Sequence, residues 1–262
     1  MQNNLFSMHD KVCVITGGSR GLGKAMARAF LQAGARKVYI TARKAAECDE
    51  TAKELSGLSE NGECIALPGD MSSGEEIAAF AKALAEREDH IDVLVNNAGT
   101  GWTAPIEEFP EIGWDKVMDL NVKTPFFLTQ QLLPLLKANA TAEKSASVIN
   151  IGSIAGIMGS AGSGISYGTS KAAIHQLTRN LASLVADDHI RVNAIAPGRF
   201  HSKMTSLVEQ DKEQYEREIK MIPLHRWGHD EDIMGPALLL ASNAGAFMTG
   251  EIITVDGGYL LV

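Results

Sequence analysis

Val12-Cys13-Val14-Ile15-Thr16-Gly17-Gly18-Ser19-Arg20-Gly21-Leu22-Gly23 runs from a β-branched stretch directly into a glycine-rich turn. A short apolar run that ends at turn residues reads as a buried strand, and a helical spacing of apolar side chains begins at Gly21. Gly17, Gly21 and Gly23 let the backbone turn tightly and approach an anion, while the following helix directs its N-terminal amides at it. The stretch therefore predicts a strand–turn–helix unit able to seat a dinucleotide pyrophosphate, with Ser19, Arg20 and Leu22 on the same turn. Alone, such glycines fit a packing turn equally well; their place after the first strand favours the nucleotide.

Outward from this turn, short β-branched runs alternate with longer helical patterns. Strands are predicted at residues 12–16, 37–42, 64–68, 93–96, 147–151, 191–196 and 252–255. Helices are predicted at 21–33, 45–55, 75–87, 114–136, 167–185 and 231–241, with Pro125 and Pro134 dividing or bending the fourth. Seven strands and six crossings imply an α/β, Rossmann-like, doubly wound three-layer sandwich with a seven-stranded parallel sheet. No linker interrupts the pattern, so residues 1–262 read as one dinucleotide-binding and catalytic domain. The segment 200–227 breaks the alternation after Pro197-Gly198 and is long for a connection, which suggests a substrate-covering insertion.

Composition limits the function classes. A formal net charge of −8 argues against a nucleic-acid partner, whose phosphates need a concentrated basic face. No apolar run is long enough to span a bilayer and the N-terminus lacks a secretory core, so a cytoplasmic, membrane-free protein is expected. Cys13, Cys48 and Cys64 match neither a zinc spacing nor a redox pair; they read as reduced core thiols, and no metal is expected. His175, four residues past Lys171, reads as a packing or solvated residue.

A second constellation adds chemistry. Tyr167 and Lys171 stand four apart, so a helix projects both from one face, and Ser153 lies upstream. A phenol with pKa ~10 needs roughly 4 kcal/mol of preferential phenolate stabilisation to titrate near neutrality, which a nearby cation can supply. At the exit of the second strand, Thr41-Ala42-Arg43-Lys44 carries no acid for a ribose hydroxyl. Arg43, with Arg20, could instead pair a 2′-phosphate, favouring NADPH/NADP+; a solvated surface charge is the alternative.

Together these motifs resemble the short-chain dehydrogenase/reductase family over nearly the whole chain. The resemblance rests on the Gly17–Gly23 loop, Asn96-Asn97-Ala98-Gly99, Asn121, Ser153, Tyr167 with Lys171, and Pro197-Gly198. It implies Asp70 and Met71 at the adenine, and Asn97, Ala98 and Gly99 along the cofactor wall. Pro197, Gly198, Phe200 and Ser202 are implied beside the nicotinamide. Ser153 would bond a substrate carbonyl, Tyr167 donate the proton, Lys171 hold the ribose and lower the phenol pKa, and Asn121 position a water. Such enzymes assemble as homodimers or homotetramers; the apolar tail 259–262 fits a subunit contact or folding back on its own chain.

Within the family, Gly99-Thr100-Gly101-Trp102, Leu132-Leu133-Pro134-Leu135-Leu136, Ala196-Pro197-Gly198-Arg199-Phe200 and Arg226-Trp227-Gly228 look most like bacterial 3-oxoacyl-[acyl-carrier-protein] reductases of the rhamnolipid-biosynthesis type. The implied activity is reduction of a 3-oxoacyl thioester, on acyl carrier protein or coenzyme A, in fatty-acid metabolism. Two alternatives stay open: another ketone, alcohol, sugar or steroid substrate, and a catalytically silent nucleotide sensor. Phe200, Met204, Leu207, Val208, Tyr215, Ile219, Met221 and Ile222 could form an apolar wall, flanked by Arg199, His201, Lys203 and Lys212. Packing onto the body explains the same pattern. Asp187-Asp188, where relatives often carry a basic residue for an acidic carrier, speaks against that docking mode.

Overall fold

Strand β1 (Val12–Thr16) is buried along its whole length and pairs in parallel with β2 (Lys37–Thr41) on one side and β4 (Val93–Asn96) on the other. With β3 (Glu63–Ala66), β5 (Ala146–Ile151), β6 (Ile190–Pro197) and β7 (Ile252–Val255) it forms a seven-stranded sheet of order β3-β2-β1-β4-β5-β6-β7, every pair parallel. The computed structural model describes residues 4–59, 62–159, 164–202 and 205–262, without the side chain of Leu207. The strand order reverses between β1 and β4, and such a reversal opens a crevice at the carboxyl ends of the two strands.

Alternation along β1 builds two apolar layers. Cys13 and Ile15 point into one cluster, with Met26, Phe30, Cys48, Leu55 and Leu240, beneath helices α1 (Gly21–Gln32), α2 (Ala45–Ser56) and the helix at Asp230–Ala241. Val12 and Val14 point into the other, with Phe80, Leu84, Leu128, Leu132, Leu136 and Leu181, under α3 (Gly74–Ala85), Thr124–Lys137 and Ile165–Val185. All three cysteines are free and buried, and burial pushes Cys48 up to about 11 and Cys64 up to about 12. Among the described residues no helix is long and apolar enough to cross a membrane, and no cluster could hold a metal ion.

The expected helix over 114–136 is instead three pieces. Helix α4 (Glu111–Met118) passes into a π-helical turn at Asp119–Lys123 and then into α5 (Thr124–Lys137). The Thr124 amide donates to the Asp119 carbonyl, five residues back. Pro125 explains the break, since it has no amide for the carbonyl four residues earlier, that of Asn121. Pro134 is tolerated inside α5.

Helix α6 (Ile165–Val185) carries Tyr167 and Lys171. The segment expected as an insertion folds into two short helices, α7 (Ser206–Gln210) and α8 (Lys212–Lys220), before α9 (Asp230–Ala241). Its ends are tied by a parallel bridge between Phe200 and Gly228.

Candidate active site

The glycine turn sits where β1 and β4 end. Gly17 and Gly21 hold φ of 65° and 53°, in the left-handed region that glycine enters without strain. A methyl group at Gly23 would lie 2.4 Å from the Gly17 carbonyl oxygen and 2.6 Å from Asn97 Nδ2. Asn97 is the staple: its Nδ2 donates to the carbonyls of Thr16 (2.9 Å) and Gly17 (3.1 Å). Thr16 Oγ1 in turn accepts from the amides of Asn97 (3.0 Å) and Ala98 (2.9 Å). Thr16 was no candidate; a hydroxyl at a buried strand end, directly before the turn, is the signal that could have found it.

At the first turn of α1, Arg20 occupies the N-cap position and no side chain caps the free amides. Arg20 is exposed, 3.9 Å from Glu47. Arg43 is also exposed, just past β2. The exits of β2 and β3 are tied by the Gly69 amide on the Ala42 carbonyl (3.2 Å). Met71 is buried and its carbonyl accepts from Thr124 Oγ1, while Asp70 is partly buried and accepts from the Ser72 amide.

Ser153 follows β5 and is buried, its Oγ accepting from the Ala155 amide at 3.1 Å and its hydroxyl near enough to the Tyr167 phenol to favour the ionised form. Lys171 is buried one turn beyond, its Nζ donating to the Ile151 carbonyl (2.7 Å) and lying 5.5 Å from the centre of the Tyr167 ring. Asn121, in the π turn, is likewise buried. Its side chain is fully engaged: Oδ1 accepts from the Thr100 amide (2.9 Å), and Nδ2 donates to the Thr100 carbonyl (2.9 Å) and Ser170 Oγ (3.0 Å). Gly99 lies between them, its Cβ position 3.3 Å from Asn121 Oδ1 and 3.7 Å from Lys171 Nζ. The structure thus gathers Asn121, Ser153, Tyr167 and Lys171, with Gly99, at the carboxyl edge of the sheet.

Electrostatics depart from expectation. Burial, not Lys171, dominates the phenol and pushes Tyr167 above its usual value, opposed by the Ser153 hydroxyl and the charge of Arg199. Burial also pushes Lys171 down to about 8. The phenol is therefore a proton-bearing acid at neutral pH in the chain alone. An ammonium that folds with a lowered pKa opposes folding below that pKa, and the penalty fades as pH rises from 8 toward 10.5. Lys171→Met is accordingly expected to unfold at higher urea than the parent at pH 7, by up to on the order of 3 kcal/mol less the lost bond to Ile151. The advantage should shrink by pH 10; a pH-independent difference would contradict it.

His175 packs as expected of a core residue: it is buried, and its Nε2 would lie 2.1 Å from a methyl group at Gly152. Pro197 ends β6, and the Gly198 amide donates to the Val255 carbonyl (2.9 Å). The ring of Phe200 is buried against Gly228, at the base of the segment 200–227. Ser202 Oγ engages Thr205 Oγ1 at 3.1 Å.

In the expected apolar wall, Ile222 is core, Met221 is exposed, and Tyr215 joins Trp227 and His201 in an aromatic cluster. Arg199 pairs with buried Glu218 of α8 at 3.0 Å, and His201 lies 3.4 Å from Glu209. Lys203 and Met204 lie outside the described residues, as does the side chain of Leu207.

A crevice at a strand-order reversal, floored by a glycine turn and walled by Ser, Tyr and Lys, defines a class of oxidoreductase. A family model described as Enoyl-(Acyl carrier protein) reductase matches residues 17–260, and the chain belongs to the short-chain dehydrogenase/reductase family. It is 48% identical over 98% of both chains to the rhamnolipids biosynthesis 3-oxoacyl-[acyl-carrier-protein] reductase of Pseudomonas aeruginosa. A solved RhlG/NADP active-site complex of Pseudomonas aeruginosa superposes with a TM-score of 0.94 at 48% identity, covering 98% of this chain and 99% of that one. The 2-dehydro-3-deoxy-D-gluconate 5-dehydrogenase of Escherichia coli is 36% identical over 97% of both chains.

Proposed function

We propose that this protein reduces a 3-oxoacyl thioester to the 3-hydroxyacyl thioester, with NADPH as the reductant. The meeting of Ser153, Tyr167 and Lys171 beside the glycine turn carries the reading. A nucleotide fits the chain's own features: a turn held open by left-handed glycines, clear space over Gly21, and an uncapped helix start with no acidic residue in its first turn. Gly17, Ser19, Arg20, Gly21, Leu22 and Gly23 would hold the pyrophosphate, Asp70 and Met71 the adenine, and Asn97, Ala98 and Gly99 the wall. Tyr167 and Lys171 would hold the ribose, and Pro197, Gly198, Phe200 and Ser202 the nicotinamide side. When bound, the nicotinamide supplies the hydride.

The residues do the rest. Ser153 donates a hydrogen bond to the substrate carbonyl, so that negative charge developing on oxygen is stabilised. Tyr167 hands its phenolic proton to that oxygen. Lys171 lies beside the phenol, close enough to stabilise the phenolate left behind. With the Asn121 side chain bonded to Thr100 and Ser170, its main-chain carbonyl, which Pro125 has no amide to bond, would hold a water for proton return. The 48% relative supports the thioester as substrate; the 36% relative supports a second reading, the same chemistry on a keto sugar acid. NADPH consumption with acetoacetyl-coenzyme A, an acyl-carrier thioester, 2-dehydro-3-deoxygluconate and simple ketones separates the two. Turnover of the sugar acid or simple ketones without thioesters overturns the proposal, and no turnover at all favours a nucleotide sensor.

The reading extends to a cytoplasmic homodimer or homotetramer in lipid metabolism, and to one domain in which α7 and α8 cover the substrate. Coenzyme A is favoured as carrier over an acidic protein docking at the end of α6, where Asp187 is exposed and Asp188 is tied to Lys137 at 2.7 Å. Arg43→Glu is expected to weaken NADPH about 10- to 100-fold while leaving NADH within about threefold, since a charge-assisted bond worth about 1.5–3 kcal/mol is replaced by repulsion. Unchanged discrimination in nucleotide titrations would remove Arg43 from the phosphate site.

A further inference from the structure

Helix α6 places His175 four residues past Lys171, as Lys171 stands four past Tyr167, so the three share one side of the helix. That side meets the chain leaving β5. Lys171 Nζ donates to the Ile151 carbonyl at 2.7 Å. At the next residue, Gly152, a methyl group would collide with His175 Nε2, lie 2.6 Å from its Cδ2 and come 3.3 Å from the Ile195 carbonyl oxygen. The residue after that is Ser153. Farther along, a methyl group at Gly156 would lie 2.6 Å from the Ala172 amide nitrogen, and one at Gly168 would lie 3.1 Å from the Ala155 carbonyl oxygen. The segment 151–156 is thus laid along α6, and His175 is the helix's contact with it at Gly152.

The imidazole acts there by its shape. It is buried, and burial, with the charges of Lys171 and Arg179, pushes it down to about 4, so the ring is neutral at pH 7. Its Nε2 has no hydrogen-bond partner among the described residues, so no polar contact of that atom explains its place. Gly152 is held from β6 as well, its amide donating to the Ile195 carbonyl at 2.7 Å. The glycine is therefore gripped between β6 and the ring edge of His175. Because Gly152 joins Ile151 to Ser153, moving it moves both the carbonyl that holds Lys171 and the serine hydroxyl.

Resting on the reading of Ser153, Tyr167 and Lys171 as the reacting group, we propose that His175 is a positioning residue: its ring edge sets how closely Gly152 approaches α6, and so fixes Ser153 relative to Tyr167 and Lys171. A misplacement of about 1 Å at such a group can cost about 100-fold in rate.

The test is a second-site cycle on the parent, Gly152→Ala, His175→Ala and the double variant. The readouts are kcat for NADPH oxidation with acetoacetyl-coenzyme A, NADPH Kd from fluorescence titration, and thermal unfolding. Gly152→Ala is expected to lower kcat about 100-fold while NADPH Kd stays within about threefold, because the methyl meets the ring. His175→Ala should lower kcat about tenfold, since the segment loses its stop. In the double variant the new methyl enters the space the imidazole leaves, and kcat should rise at least tenfold above that of Gly152→Ala. A histidine serving only stability would make the two losses multiply. A double variant no more active than Gly152→Ala, or an unchanged kcat in His175→Ala, overturns the proposal. Should Gly152→Ala not fold, His175→Ala and His175→Gln carry the test: glutamine restores a planar group of similar reach and should recover most of the lost kcat, and equal kcat in the two overturns the role of His175. If the parent reduces only 2-dehydro-3-deoxygluconate, the same cycle is run on that substrate. Tyr167→Phe reports on the reacting group separately: if it keeps turnover, or if the parent reduces neither substrate, that reading falls and this inference with it.

Discussion

Replacing Tyr167 with phenylalanine is expected to lower kcat by about 100- to 10,000-fold, the usual contribution of a positioned general acid, while the NADPH Kd stays within about threefold. The substitution removes one oxygen. Burial keeps the phenol protonated, opposed by the nearby Ser153 hydroxyl. Phenylalanine keeps the ring that lies beside Lys171 and Gly101, so the walls of the crevice persist. Ser153 retains its own bond to the Ala155 amide. Steady-state NADPH oxidation with acetoacetyl-coenzyme A, paired with nucleotide titration, checks both halves of the expectation. Residual turnover within tenfold of the parent would place the acid elsewhere.

The second large effect is expected at a residue with no side chain. Gly23→Ala should weaken NADPH by about 2–3 kcal/mol, roughly 30- to 150-fold in Kd, because the added methyl meets the Gly17 carbonyl oxygen and Asn97 Nδ2 at once. Neither can retreat cheaply. Gly17 is held in a left-handed conformation, and Asn97 is committed to the carbonyls of Thr16 and Gly17. Gly21→Ala is the control: nothing lies within 4 Å of its Cβ position, so its penalty is confined to a positive φ and should be about 1–2 kcal/mol. Kd values from fluorescence titration, alongside thermal unfolding of both variants, test the ranking. Equal loss at the two positions would show that backbone conformation, not the Asn97 staple, governs the turn.

Much of this was legible in the chain because it depends on local period and on glycine. Val12 to Thr16 alternates faces as a buried strand must, and the tyrosine–lysine spacing needs only a helix to converge. The rest depends on surroundings that sequence spacing does not encode. The stretch 114–136 keeps an apolar pattern through its break, so the π turn at Asp119–Lys123 left no periodic signature beyond Pro125. The direction of the Tyr167 shift follows from burial outweighing the Ser153 hydroxyl and the Arg199 charge, and burial appears only in the fold. The bonds from the Asn97 side-chain amide to the Thr16 and Gly17 carbonyls were not legible in the spacing either. For Phe200 and Ile222, a helical or loop spacing of apolar residues cannot tell a pocket from a core.

The five-residue hydrogen-bond step at Asp119–Lys123 has a consequence for tolerance to change. A regular helix advances about 100° per residue, so the wider loop lets one surplus residue pass without rotating the downstream helix α5. Losing a single codon there would restore a regular helix and leave the Leu128, Leu132 and Leu136 stripe facing the sheet, but it would swing Asn121 off Thr100. Insertions and deletions in this segment should therefore be purged more strictly than substitutions at its exposed positions, such as Lys123.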